Sequence, residues 1–230
     1  MIVNPARSAE FALGLAARAA QVGAAARPYR RLMIVLITGP VRSGKSTRAA
    51  SVARDLGGPV THVLTARVDP ADREMADRIA RHRSERGTQS SIELWQPATP
   101  DLADIVAAAP ARTTLLVDSL GTWLAGHLLD LEALVERDSV QAFARLESLA
   151  DLLLVQLTAA QADVVIVAEE TGWGLVPLTA QGRLFRDQLG RLTQRVGKVA
   201  ERVELVVAGY TLDLRGLGTP VSSTAIRSRN

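Results

Sequence analysis

The sequence predicts an α/β protein built on a mainly parallel sheet with helices on both faces. Three observations carry this. Short runs of branched apolar residues, Met33–Thr38, Val60–Thr65, Thr113–Asp118 and Asp163–Ala168, alternate with longer segments rich in alanine, leucine and arginine. Apolar runs without polar alternation are the form of strands buried on both faces. Gly39-Pro40-Val41-Arg42-Ser43-Gly44-Lys45-Ser46 fits the G-x-x-x-x-G-K-[ST] pattern at every required position, between the first apolar run and a helical stretch. Aromatic residues make up only 3% of the chain while 47% is hydrophobic, so Val, Leu, Ile and Ala must fill the interior. The expected class is a P-loop fold of the RecA-like type.

The elements follow in order. Met33–Thr38 is the first strand, Gly39–Ser46 the phosphate loop, and Lys45–Arg54 the first helix. In that arrangement the loop's backbone N–H groups and the positive helix end converge on one anion. Lys45 reaches the β- and γ-phosphates of a nucleotide as a point charge, and the Ser46 hydroxyl ligates Mg²⁺. Gly57-Gly58-Pro59 breaks the chain before a second strand, Val60–Thr65. Asp69-Pro70 opens a helix ending near Gly87, with Met75, Ile79 and His82 on one face. Ser91–Trp95 reads as a short strand, and Pro97, Pro100 and Pro110 bracket a modest helix.

Thr113–Asp118 closes a hydrophobic strand on a carboxylate, the form of the second nucleotide motif, in which an acid holds Mg²⁺ through water. The alternative for Asp118 is an N-cap for the next helix. Leu120–Leu134 and Val140–Ala160 are helical, Asp163–Ala168 is a buried strand, and Glu169–Pro177 is a loop where α/β sheets place ligands. A charged helix, Leu178–Ala200, and two closing strands, Val203–Ala208 and Tyr210–Leu214, complete a single catalytic domain over residues 33–214. Residues 1–32 are expected to be a loose extension or the product of an early start codon. The tail over 215–230 is expected to be mobile.

Composition narrows the function. There are 27 basic and 24 acidic residues, a formal charge of +3, with no long basic run and no interleaving of aromatic with basic residues, which argues against a nucleic-acid partner. No apolar stretch approaches the length of a membrane span. Cysteine is absent, which removes disulfides and thiolate metal sites and fits a cytoplasmic protein. The three histidines are scattered and cysteine is absent, which argues against a zinc site; His62 within a strand reads as an exposed or satisfied imidazole, and His127, one turn after Trp123, as a packing or boundary residue.

His82 lies among Arg78, Arg81, Arg83 and Arg86. Such a cluster gathers phosphates and disfavours imidazole protonation, and a neutral imidazole beside phosphorus can displace pyrophosphate to form a phosphoramidate. The plainer reading is a solvated arginine face with one packing histidine. On residues alone the chain is either a nucleotide-dependent transferase or a nucleotide-driven switch or ATPase module with no covalent step.

Several separated stretches, together and in order, resemble the bifunctional adenosylcobinamide kinase / adenosylcobinamide-phosphate guanylyltransferase family. Arg42–Ser46 is identical to the corresponding part of the family's G-G-A-R-S-G-K-S, and Glu74–His82 is similar to its E-M-A-x-R-I-x-x-H. Leu115–Leu120 resembles its second nucleotide motif, Glu170–Pro177 its E-V-G-x-G-I-V-P loop, and Phe185–Gln194 its F-R-D-x-x-G-R-x-N-Q segment. The resemblance implies phosphorylation of adenosylcobinamide by ATP or GTP, then guanylylation of His82 by GTP and transfer of GMP to adenosylcobinamide phosphate. It further implies guanine-nucleotide contacts from Leu64, Thr65 and Ala66 and from Arg83, Ser84, Glu85 and Arg86, an acidic role for Asp118, and a homo-oligomer, a trimer. The chain departs from the family at Pro40, in place of its second glycine, and at Glu169 and Thr193, where asparagine is common. Trp95 stands where the family has a glutamate.

Overall fold

The computed structural model describes residues 32–67, 90–95 and 99–221. The extension over 1–31, the helix expected between Asp69 and Gly87, and the end of the tail from 222 lie outside the described residues.

Seven strands form one sheet: β1 (Ile34–Gly39), β2 (Val60–Leu64), β3 (Ser90–Glu93), β4 (Thr114–Asp118), β5 (Asp163–Glu169), β6 (Arg202–Val207) and β7 (Tyr210–Asp213). Their spatial order is β3-β2-β4-β5-β1-β6-β7, and all neighbours are parallel except β6 and β7. The described helices are α1 (Lys45–Leu56), α2 (Leu102–Ala108), α3 (Leu120–Asp130), α4 (Glu132–Arg137), α5 (Ser139–Ala159), α6 (Ala180–Val199) and α7 (Leu214–Leu217).

The period of two along each buried strand divides the core between the faces. Val35 and Ile37 of β1, Leu116 of β4 and Val165 and Val167 of β5 pack with Ala49, Val52 and Ala53 of α1. Ile34, Leu36, Leu115, Val117, Val164 and Ile166 point the other way, into a larger cluster shared with α2 to α6. Every residue of β1 is buried, which is why its sequence reads as an unbroken apolar run.

Some boundaries differ from the sequence reading. The helix expected over Leu120–Leu134 is divided at Leu131, whose amide bonds to both His127 and Leu128 carbonyls and tightens the turn. β3 ends at Glu93, and Trp95 turns its indole N–H to the Thr65 carbonyl at 2.7 Å. Past Asp213 the chain makes one further helical turn, α7, whose Asp213 N-cap accepts from the amides of Arg215 and Gly216.

Candidate nucleotide site

β1 delivers the phosphate loop at the carboxyl edge of the sheet. Gly39 has φ 150°, and a Cβ there would stand 2.1 Å from the Val206 carbonyl oxygen of β6, so no side chain fits. Gly44, at φ 102°, is the left-handed N-cap of α1. That helix begins with no side-chain cap and no acidic residue in its first turn, leaving its first N–H groups to an incoming anion. The Ser43 hydroxyl is buried in the same loop without a hydrogen-bond partner. Val41 and Arg42 are exposed on the loop's outer side.

Lys45 is only 7% exposed and donates from Nζ to the Pro40 carbonyl oxygen at 2.7 Å. Pro40 therefore contributes an acceptor to the loop but no N–H. The Ser46 hydroxyl faces Asp118 Oδ1 at 3.5 Å. Asp118 does not cap α3: Ser119 is the N-cap, in a reciprocal capping box with Thr122. This removes the plainer alternative for Asp118.

Sheet order explains how these groups meet. β5 lies between β1 and β4, so its terminal residue, Glu169, sits between the loop and Asp118. Glu169 accepts hydrogen bonds from the Ser119 hydroxyl and, at 3.0 Å, from the Gly121 amide. Burial raises its pKa above the ordinary glutamate value, with the Asp118 carboxylate adding to the shift. The Ser119 hydroxyl and the Lys45 ammonium act in the opposite direction. Sequence reading placed Glu169 at the start of a loop and gave it no site role. The usable signal was its position at the end of a buried strand.

α1 is tied to the sheet by charge. Arg48 donates from Nε and Nη2 to the two carboxylate oxygens of Glu204 at 2.8 and 2.9 Å, and Glu204 on β6 is completely buried. Hydrogen bonding to Glu204 raises the Arg48 pKa, against the burial that lowers it. A bidentate pair at the second turn of α1 fixes the direction of that helix against β6.

Leu64 ends β2, with Thr65 and Ala66 directly after it, three strand spacings from β1, or about 14 Å. Thr65 is fully buried: its hydroxyl donates to the Ser119 carbonyl and accepts from the Ser119 amide, both at 2.6 Å. Its carbonyl accepts from Trp95. The polar atoms of Thr65 thus bind the β2 end to the β4–α3 corner. His82, Arg83, Ser84, Glu85 and Arg86 lie outside the described residues.

Among the described residues no group of three or more His, Cys, Asp or Glu side chains could hold a metal. One hydroxyl and one carboxylate suit Mg²⁺, which takes few protein ligands and keeps water and substrate phosphate oxygens around it. His127 packs edge-on against Trp95 and Trp123, with ring centroids 5.1 and 4.9 Å away, and its Nε2 lies 3.3 Å from Asp101. Beyond Glu169, a cavity of about 760 Å³ opens between the chain leaving β5 and the outer side of α6. No helix among the described residues is long and apolar enough to cross a membrane.

The chain is similar to known proteins over most of its length. The chain is 35% identical over 184 residues to the bifunctional adenosylcobalamin biosynthesis protein CobP of Pseudomonas aeruginosa, covering 79% of this chain and 96% of that protein. It is 33% identical over 193 residues to CobU of Salmonella typhimurium and 30% identical over 188 residues to CobU of Escherichia coli, both with the same functional description. Each alignment covers 80% of this chain and 100% of the relative. Residues 35–214 match the family described as cobinamide kinase / cobinamide phosphate guanyltransferase. A buried, loop-held lysine beside a hydroxyl–carboxylate pair is the apparatus such a transferase needs, and the chain belongs to that family.

Proposed function

We propose that the protein carries out two consecutive transfers on a corrinoid in the cytoplasm. In the first, the hydroxyl oxygen of the aminopropanol arm of adenosylcobinamide attacks the γ-phosphorus of ATP or GTP. The nucleoside diphosphate leaves and the hydroxyl proton is released. In the second, an imidazole nitrogen of His82 attacks the α-phosphorus of GTP and pyrophosphate leaves. A phosphate oxygen of adenosylcobinamide phosphate then takes the GMP from the imidazole, giving adenosylcobinamide-GDP.

The observation that carries the proposal is the convergence of Lys45, Ser46 and Asp118 at one sheet edge, in a chain whose residues 35–214 match the family. The α1 amides and Lys45 hold the phosphates and oppose the charge that builds on the transferred group. Ser46 and Asp118 would hold Mg²⁺, which would supply neutralisation of phosphate charge. Leu64–Ala66 and Arg83–Arg86 contribute to the guanine-nucleotide site, and the working assembly is a trimer, which analytical ultracentrifugation would check.

The test is labelling with radioactive GTP. GTP labelled at the α-phosphorus marks the protein through an acid-labile, alkali-stable bond, whereas γ-labelled GTP leaves it unmarked. His82→Asn abolishes the mark. Retention of the α-label in that variant would remove His82 from the mechanism.

A further inference from the structure

Helix α6 contains a glycine that its own packing does not require. A Cβ at Gly182 would meet Pro177 at 2.8 Å, and one at Gly197 would touch Leu36 at 3.7 Å, but one at Gly190 would meet nothing within 4 Å. Glycine in mid-helix costs stability relative to alanine, and at Gly190 the bare backbone leaves open space beside the helix. Gly190 lines the cavity beyond Glu169.

The cavity's chemistry disfavours a nucleotide. Glu169, Glu170 and Asp187 line it against Arg186 and Arg191. Arg186 is occupied elsewhere, donating to the Gly172, Gly174 and Leu175 carbonyls at 2.7, 3.2 and 3.1 Å. The remaining balance is acidic and rich in both donors and acceptors, which suits primary amides and repels phosphate. Because Arg186 holds the loop after β5 by its backbone, the apolar side chains of that loop stay outside. Trp173 is 61% exposed, Leu175 97% and Val176 67%. Cavity and loop together offer an amide-binding floor beside an apolar shelf.

We propose that this cavity seats the corrinoid acceptor, a macrocycle with an apolar face and a rim of primary amides, with Gly190 left bare for the rim to approach. The inference rests on the corrinoid reading above. It brings the acceptor beside the phosphate loop: Glu169, which lines the cavity, pairs with Gly39 at the end of β1, and the Glu170 amide donates to the Gly39 carbonyl at 3.0 Å.

The test is equilibrium dialysis of the full chain against adenosylcobinamide, followed by its visible absorption, alongside nucleotide affinity and thermal melting. Gly190→Phe fills the cavity and weakens corrinoid binding at least tenfold while nucleotide affinity stays within twofold. Gly190→Ala raises the melting temperature by about 2–4 °C, since helix stability improves and nothing in the chain is displaced. Corrinoid affinity in Gly190→Phe within twofold of the parent protein overturns the assignment. Should Gly190→Phe melt below the parent, Asp187→Ala, at an exposed position, replaces it: at least threefold weaker binding supports the site and unchanged binding overturns it. If the parent protein neither binds nor phosphorylates the corrinoid, both the proposed function and the cavity assignment fall, a result distinct from binding that ignores Gly190.

Discussion

The Lys45 ammonium and the Pro40 carbonyl, five residues apart, meet at 2.7 Å, so the phosphate loop closes on its own cation. The bond uses one of the three ammonium N–H groups and orients Nζ within the loop, where another N–H can meet a triphosphate. Lys45→Ala is expected to lower corrinoid-dependent ADP formation by about 10²–10³-fold, the loss typical of removing one preorganised charge from a transition state. Unchanged turnover in a coupled ADP assay would contradict the assigned role.

Glu169 predicts a pH dependence. At acid pH the folded and unfolded chains both hold its proton, and the residue contributes nothing. Its folded pKa is raised, so as pH climbs past the ordinary glutamate range the unfolded chain releases the proton first. Stability then falls until the native group also ionises. Glu169→Gln removes that decline. Urea midpoints measured from the glutamate range to neutrality should be flatter for the variant, and a profile parallel to the parent's would refute the shift.

The pair Arg48–Glu204 is expected to hold α1 in register with β6. Arg48→Ala leaves a fully buried carboxylate served by Arg202 alone and should lower unfolding stability by about 3 kcal/mol, the low end for a broken buried pair. Glu204→Gln should cost less, because both arginines are partly exposed and can turn to water. Urea denaturation checks the order, and the reverse ranking would argue against it.

Asp101 supports the aromatic corner beneath β2 and β4. Burial raises its pKa, but hydrogen bonds from His127 and from Trp123 lower it further, and the net shift is downward. Its contribution is therefore present above the ordinary aspartate range and lost as pH falls through the depressed value. Asp101→Ala strands the buried Trp123 indole N–H, bonded at 2.9 Å, and should cost about 1–3 kcal/mol near neutrality. Equal stability by urea titration would show that the indole finds another acceptor.

Much of this was legible in the chain. The loop from Gly39 to Ser46 announces itself because the phosphate cradle is local: one turn needs glycine at two positions, and its lysine and serine follow directly. Strand β1 was equally plain, since burial on both faces demands an unbroken apolar run. The division at Leu131 was not visible, because helical composition continues across it and only the local hydrogen bonding breaks the element. Trp95 was read as part of a strand; its place over Gly126 depends on a helix thirty residues later, where a Cβ would stand 2.1 Å from the indole.

The sequence by itself determined the fold class, the phosphate loop and the acid at the end of β4, because each is written in neighbouring residues. Tertiary structure alone decided that β5 enters between β1 and β4, since strand order depends on how distant segments pack and not on their sequence in the chain. That insertion makes Glu169 a neighbour of both Lys45 and Asp118.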